Sequence, residues 1–193
     1  MIAWIDLETT GLDPAVDCIL EVACVITTDK LVEVEARSAV VPWPPKILKG
    51  LRAQADPIVQ RMHDESGLWA ECSDPRFASQ SEALVAQGFV DWIGWAKDFA
   101  AANAKLAMGG SSVHFDRAFL RARMRNLHDI FSHHNLDVSV LRDLAWRWNP
   151  AVFAARPKGD STKGAKHRAL DDARASIESL RHYRDHFLVC AGK

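Results

Sequence analysis

Residues 1–14 read MIAWIDLETTGLDP, an apolar run that ends in two carboxylates one residue apart. The apolar run predicts a buried strand over residues 2–8. Because side chains alternate along a strand, Asp6 and Glu8 would then project from the same face. Like charges at one place repel each other unless a cation lies between them, and carboxylate oxygens are ligands that divalent cations prefer. Taken alone, the pair is either a metal site or the solvated end of a strand.

The composition predicts one cytoplasmic domain spanning residues 1–193. Of the 193 residues, 48% are hydrophobic, which is enough for an ample core. No run approaches the ~20 apolar residues that span a bilayer, and the N-terminus lacks the charged segment and cleavage site of a signal peptide. The cysteines lack CxxC spacing and are interpreted as reduced core residues. They are Cys18, Cys24, Cys72 and Cys190.

Charge is divided unevenly along the chain. Residues 1–116 carry 9 Lys and Arg against 17 Asp and Glu, whereas residues 117–193 carry 15 against 8. The net charge of −1 by itself argues neither for nor against nucleic acid. An acidic half with a metal site beside a basic half fits an enzyme that acts on a phosphate backbone. Ordinary solvated surface charge is the alternative.

Hydrophobic periodicity and turn residues predict a mixed α/β sheet flanked by helices. Three consecutive strands come first, over 1–8, 18–28 and 31–41. The later elements are a loop-and-helix segment to residue 70, a long helix over 79–102, a strand over 105–111, a helix over 115–126, a strand from 136 that leads into a helix, and a last helix over 168–187. In the long helix, Ser79 and Glu82 are predicted to form a capping box, and Leu84 to lie on the apolar side.

Three further polar residues stand where strands end and helices begin. Asp116 follows a strand and a glycine pair, at the kind of strand end where open α/β sheets bind ligands. His167 directly precedes the last helix. On a helical wheel, Asp172 lies at the flank of the apolar stripe of that helix, whereas Asp171 points nearly opposite and is expected to cap the helix or face water. Asp116, His167 and Asp172 each have an ordinary structural explanation when taken singly. Such explanations do not account for their joint arrangement with the acidic pair of the first strand.

Together these motifs resemble the DEDDh family of 3′–5′ exonucleases, which have the RNase H-like fold. The shared pattern is D-x-E on the first strand, a later Asp after a strand, and H-x-x-x-x-D at the last helix. Within that family the closer resemblance is to the oligoribonucleases, and it covers most of the chain. The segments that carry it are IDLETTGLDP (5–14), HDESGL (63–68), LDVSVLRDLAWRWNP (136–150) and HRALDDARASIESLRHYRDHFL (167–188).

The resemblance implies a two-metal phosphodiester hydrolase. Asp6, Glu8, Asp116 and Asp172 would hold two Mg²⁺ or Mn²⁺ ions, which stabilise the attacking and leaving oxygens of an in-line displacement. His167 would take the proton of the attacking water, since a histidine is partly neutral near pH 7. The expected products are nucleoside 5′-monophosphates released from the 3′ ends of short single-stranded RNA, or of single-stranded DNA.

The family also implies residues that bind substrate, and a homodimer. Leu12 corresponds to a leucine that wedges between two bases, and a buried turn leucine is the alternative. His63 corresponds to a histidine that contacts the ligand. Ser112 and Ser139 correspond to hydroxyls near the 5′-phosphate.

Two positions depart from the oligoribonuclease pattern. Ile58 stands where the family has a stacking tryptophan. His134 stands where an arginine of the partner subunit caps the 5′-phosphate, and the loss of that charged bidentate ligand should weaken selection for the shortest substrates.

Three functions are therefore compared. The leading one is a metal-dependent exoribonuclease of short oligoribonucleotides. The first alternative is a broader DEDDh exonuclease of DNA or RNA 3′ ends, of the proofreading or RNA-trimming type. The second alternative is a catalytically inactive nucleic-acid-binding protein, which the presence of all five catalytic residue types disfavours.

Overall fold

The architecture is a five-stranded sheet with helices on both faces, seen in a computed structural model that describes residues 1–99, 105–157 and 168–188. The strand order is β3-β2-β1-β4-β5. The strands are β1 (Ile2–Thr9), β2 (Ile19–Thr27), β3 (Glu33–Val40), β4 (Ala107–Gly110) and β5 (Asn135–Asp137). Strands β1, β2 and β3 pair antiparallel, whereas β4 pairs parallel with both β1 and β5. The predicted mixed five-stranded sheet is confirmed.

The helices of the described ranges follow the predicted order. They are α1 (Pro45–Gln54), α2 (Pro57–Glu65), α3 (Leu68–Glu71), α4 (Glu82–Phe99), α5 (Val113–Arg123), α6 (Arg125–His128), α7 (Val138–Trp148), α8 (Pro150–Ala154) and α9 (Ala169–His186), with a 3₁₀ turn at Pro75–Phe77. None of them combines the length and the apolar character needed to cross a bilayer.

Strand β1 divides the core by the alternation of its side chains. Ala3, Ile5 and Leu7 pack in a cluster with Phe89 of α4 and Phe119 of α5. The even-numbered side chains belong to the opposite face of the sheet, where Ile2 and Trp4 pack with Ala173, Ile177 and Tyr183 of α9. Since Asp6 and Glu8 are also even-numbered, this alternation directs them to the face that α9 covers.

A glycine pair in β4 lets the central strands approach closely. A Cβ on Gly109 would lie 2.9 Å from Cε3 of the buried Trp4, and one on Gly110 would lie 2.9 Å from the carbonyl oxygen of Ile5. Only glycine leaves room for these contacts, so the pair sets how close α5, which begins three residues later, comes to β1.

Several predicted details of the helices and strands are wrong. Helix α4 begins at Glu82, and Ser81, not Ser79, accepts a hydrogen bond from the backbone N–H of Leu84 at 3.3 Å. The carboxylate of Glu82 binds Arg123 instead of closing a capping box. Leu84 is 59% exposed because the buried stripe of α4 runs through the next position, Val85.

The predicted helix over 115–126 and the strand from 136 also differ. The backbone breaks between α5 and α6 at Met124, where φ is −127°. Strand β5 ends at Asp137, because its carboxylate accepts the N–H of Ser139 and starts α7 there.

Cys18, Cys24 and Cys72 are buried and unbonded to one another, which agrees with the prediction of reduced core cysteines. Burial raises the pKa of the Cys72 thiol to about 12, so this side chain stays a neutral thiol. Cys190 lies outside the described residues.

Candidate metal and catalytic site

Three carboxylates from β1 and α9 converge at one point. Oxygen atoms of Asp6, Glu8 and Asp172 all lie within 4.8 Å of one another. Glu8 is only 7% exposed, and the other two are half-buried. Asp171 is exposed, as the helical wheel predicted. The spacing in the strand and the first turns of the last helix therefore produce one cluster of anionic oxygen donors.

Asp116 lies beside this cluster in α5. It is buried, and its Oδ1 accepts the backbone N–H of Leu7 at 3.0 Å, which ties α5 to the residue between Asp6 and Glu8. Among the neighbouring carboxylates, Asp116 contributes most to raising the pKa of Asp6. Asp116 is nevertheless outside the group of three within 4.8 Å. The structure thus brings the four predicted metal ligands together around the C-terminal half of the central strand β1, three of them in direct proximity.

The electrostatics of the cluster favour a bound cation. Burial, and then the charge of Asp172, raise the pKa of Glu8 to about 9. Burial and four neighbouring carboxylates raise the pKa of Asp6 well above its usual range. Burial raises the pKa of Asp116 to about 7, although hydrogen bonds from its own N–H and that of Leu7 oppose this. A divalent cation would reverse the repulsion, so an all-oxygen donor set of this charge fits a divalent cation.

These pKa directions predict that the metal-free protein loses stability as the pH rises. The pKa of Glu8 rises from 4.5 to about 9 on folding, so between those values the folded state holds more protons than the unfolded state. The free energy of unfolding then falls with pH, by up to about 1.4 kcal/mol per pH unit for one such group. In EDTA the thermal midpoint should fall by about 3–5 °C per pH unit near neutrality.

Two controls accompany this thermal measurement. Glu8→Gln should flatten the slope of the midpoint against pH, and saturating Mg²⁺ should remove it. A midpoint that rises with pH in EDTA, or an unchanged slope in Glu8→Gln, would contradict the burial of this carboxyl group.

His63 of α2 supports the end of β1. It is buried, its Nε2 lies 2.9 Å from the carbonyl oxygen of Thr9, and its Nδ1 lies 3.8 Å from Oε2 of Glu8. The ring of Trp69 packs edge-on against it. The structure thus places His63, which was predicted to contact the ligand, in a buried position beside Glu8 and against the end of β1.

Leu12 is presented at the tip of an ordered loop. The loop closes on Asp17, whose carboxylate accepts from Thr10 Oγ1 at 2.8 Å and from the N–H of Asp13 at 3.0 Å. Gly11 packs so closely on Asp17 that a Cβ would lie 2.4 Å from Oδ2. Leu12 itself is 80% exposed, so the alternative of a buried turn leucine is wrong.

Asp137 holds together the two serines that were predicted to lie near a 5′-phosphate. Its Oδ1 accepts from the N–H of Ser112 at 2.9 Å, from the N–H of Ser139 at 3.0 Å and from Ser139 Oγ at 2.6 Å. Ser112 has a φ of 55°, which turns the chain sharply out of β4. Sequence reasoning passed over Asp137, although an Asp between a strand and a helix is a helix-start signal.

The remaining predicted positions are less enclosed. Ile58 is 58% exposed on α2, and His134 is exposed beside β5, where its ring packs at a tilt against that of His133. His167 lies outside the described residues, and the next residue, Arg168, begins the described range.

A salt-bridge network at the start of α9 was also missed. Arg168 binds Glu21 of β2 and Glu71 of α3 with four N–H···O contacts of 2.9–3.0 Å. Glu21 is 2% exposed in a strand that is otherwise apolar apart from one threonine. A lone carboxylate in such a strand signals a buried cationic partner, but the sequence does not say which one.

Comparison with known proteins identifies the family. The exonuclease family model matches residues 3–180. An oligoribonuclease of Neisseria meningitidis serogroup B is 38% identical over 198 residues, covering 98% of this chain and 94% of the relative. This chain belongs to the oligoribonuclease family of exonucleases. An oligoribonuclease-family relative from Pseudomonas putida is 37% identical over 187 residues, covering 96% of this chain and 94% of its own.

Solved structures support the fold. Exonuclease I of Methylocaldum szegediense superposes with a TM-score of 0.65 at 17% identity, over 96% of this chain and 40% of its own. The zinc-bound E. coli exonuclease I complex with single-stranded DNA gives 0.66 at 19% identity, over 96% and 41%. This oligoribonuclease-family chain thus spans about two fifths of the exonuclease I chains. The RNase H-like fold implied by the sequence resemblance is confirmed.

Proposed function

We propose that this protein is a metal-dependent 3′–5′ exoribonuclease that degrades short oligoribonucleotides to nucleoside 5′-monophosphates. The observation that carries the proposal is the convergence of Asp6, Glu8 and Asp172 within 4.8 Å, in a chain of the oligoribonuclease family. An exonuclease I neighbour in complex with a single-stranded oligonucleotide supports a nucleic-acid substrate.

In this proposal the four carboxylates Asp6, Glu8, Asp116 and Asp172 would hold two divalent cations, Mg²⁺ or Mn²⁺. The cations act as Lewis acids for the attacking and leaving oxygens when they are bound. The burial of Glu8 and Asp116 lowers the local dielectric and strengthens each charge interaction with a substrate phosphate. His167 accepts the proton of the attacking water, and His63 keeps Glu8 oriented through its position at the strand end.

Product analysis of 5′-labelled RNA tests the proposal. In Mg²⁺ a 5′-labelled pentamer should shorten one nucleotide at a time from its 3′ end and release unlabelled 5′-monophosphates. Early appearance of a labelled mononucleotide would indicate attack from the 5′ end. Internal cleavage, or undiminished activity in EDTA, would equally overturn the assignment.

The exposed position of Leu12 supports its role as the wedge between two bases. Leu12→Ala should raise the Kd of a dinucleotide, measured in Ca²⁺, by roughly 10–100-fold, because full burial of a leucine side chain contributes about 1.5–3 kcal/mol. Val16→Ala is the matched control, since Val16 is 71% exposed in the same loop. Equal Kd values for the two variants would remove Leu12 from the substrate site.

A broader DEDDh exonuclease is the second candidate, and the residues at two positions favour it. The aliphatic Ile58 offers no aromatic face for a base, and His134 offers no permanently charged fork for a 5′-phosphate. Arg142 of α7 lies beside Ser139 in a small niche with Ser111 and Arg156, and it is a candidate replacement cation. The inactive binding protein is disfavoured because the carboxylate cluster is intact.

We also propose a cytoplasmic homodimer. Strand β5 is an edge of the sheet, and beside it Leu136 and Val140 are exposed along an apolar groove of 330 Å³ that also contains Leu141 and Leu180. Exposed apolar surface at a sheet edge is suited to a second copy of the chain. Light scattering should give twice the chain mass of 21.5 kDa.

A further inference from the structure

We propose that Arg168 is a positioning residue that fixes the metal ligand Asp172 against the acidic pair of β1. The inference rests on the proposed function, since it concerns the same metal site. The guanidinium of Arg168 binds Glu21 and Glu71, and its link to Asp172 runs through the first turn of α9.

The side chain of Arg168 joins three elements. Its Nε and Nη2 each donate to Glu21 at 3.0 Å, and its Nη1 and Nη2 each donate to Glu71 at 2.9 Å. One planar guanidinium thus satisfies two carboxylates at once, a geometry that lysine cannot reproduce. The start of α9 is thereby fixed to both β2 and α3.

The backbone of the same residue reaches Asp172. The carbonyl oxygen of Arg168 accepts the N–H of Asp172 at 3.1 Å and that of Asp171 at 2.9 Å. The N–H of Ala169 donates to Oε2 of Glu21 at 3.2 Å, so a carboxylate of the sheet caps this helix in place of a local side chain. Any shift of Arg168 therefore moves the first turns of α9, which carry Asp172.

The position of Glu21 makes this connection specific to the site. Glu21 and Glu8 are directly paired across the antiparallel strands β1 and β2. A chain of contacts therefore leads from Glu8 to Asp172. Glu8 pairs with Glu21 across the strands, Glu21 binds the side chain of Arg168, and the carbonyl of Arg168 accepts the N–H of Asp172. Arg168 also compensates the buried charge of Glu21, which would otherwise add to the repulsion among the metal ligands.

The test compares two Arg→Lys variants of α9. Arg174 also donates two hydrogen bonds to one carboxylate of the sheet, Glu33 of β3, but it lies on the exposed part of the helix. Arg168→Lys should weaken Mn²⁺ binding to the substrate-free protein, measured by isothermal titration calorimetry, and lower kcat in Mg²⁺, each by about 10–100-fold. Arg174→Lys should change neither quantity by more than about twofold.

The outcomes separate positioning from general stability. A purely structural role predicts a lower melting temperature for Arg168→Lys with unchanged Mn²⁺ affinity and kcat, and that result would overturn the inference. If Arg168→Lys does not fold, Glu71→Gln removes one charge of the network and keeps the contacts to Glu21. It should weaken Mn²⁺ binding in the same direction, and an unchanged affinity would count against the inference. Mn²⁺ binding decides this point even if the wild-type protein fails to hydrolyse RNA, an outcome that would overturn only the proposed function.

Discussion

Asp172→Asn is expected to lower kcat for RNA hydrolysis by roughly 10³-fold, or about 4 kcal/mol in activation free energy. The substitution removes one negative oxygen donor from the cluster with Asp6 and Glu8. Asp171→Asn is the matched control, because the neighbouring side chain is exposed and points away from that cluster. When kcat of both variants is measured over a range of Mg²⁺ concentrations, Asp171→Asn should keep a near-normal value.

The fold should survive the loss of Asp172. In EDTA the melting temperature of Asp172→Asn should equal or exceed that of the wild type, because removal of one carboxylate relieves repulsion on Asp6 and Glu8. If the Asp171 and Asp172 variants lost similar amounts of activity, that result would contradict the assignment of Asp172, and not Asp171, as a metal ligand.

His167→Ala is expected to lower kcat by ~10²–10⁴-fold, or roughly 3–5 kcal/mol, the usual contribution of a general base. Substrate affinity measured in Ca²⁺ should change little, because the substitution removes neither a metal ligand nor a substrate ligand. The wild-type rate should fall on the acidic side of about pH 6.5, where a histidine becomes protonated. That acidic limb should be absent from the variant.

A purely structural role for His167 predicts the opposite pattern. The residue would then serve only as the entry to α9, and its replacement would lower the melting temperature with near-normal kcat. A variant that retains more than about half of the wild-type rate would decide for that role.

Local patterns in the sequence predicted the main parts of the site. Strand alternation placed Asp6 and Glu8 on one face, and the helical wheel distinguished Asp172 from Asp171. Both inferences depend on side-chain periodicity within a single element, which the backbone geometry of strands and helices imposes. The mixed α/β sheet and the position of Asp116 at a strand end followed from the same local signals combined with the usual topology of α/β sheets.

Contacts between distant segments were not predictable in this way. Glu21, Glu71 and Arg168 stand in three different elements, and no local pattern identifies which buried carboxylate pairs with which arginine. Likewise, the capping box at Ser79 failed because Glu82 pairs with Arg123, more than 40 residues away. Tertiary contacts of this kind override local capping preferences, since each carboxylate takes the partner that packing provides.

A length series of 5′-labelled RNA, from dinucleotide to twentymer, tests the central claim most directly. With Mg²⁺ and equal substrate concentrations, the account predicts stepwise release of 5′-monophosphates from the 3′ end, the highest kcat/KM for the shortest oligomers, and no turnover in EDTA. Comparable kcat/KM across the whole series would support the broader exonuclease. Turnover that persists in EDTA, or that survives Asp172→Asn, would contradict the metal-dependent mechanism itself.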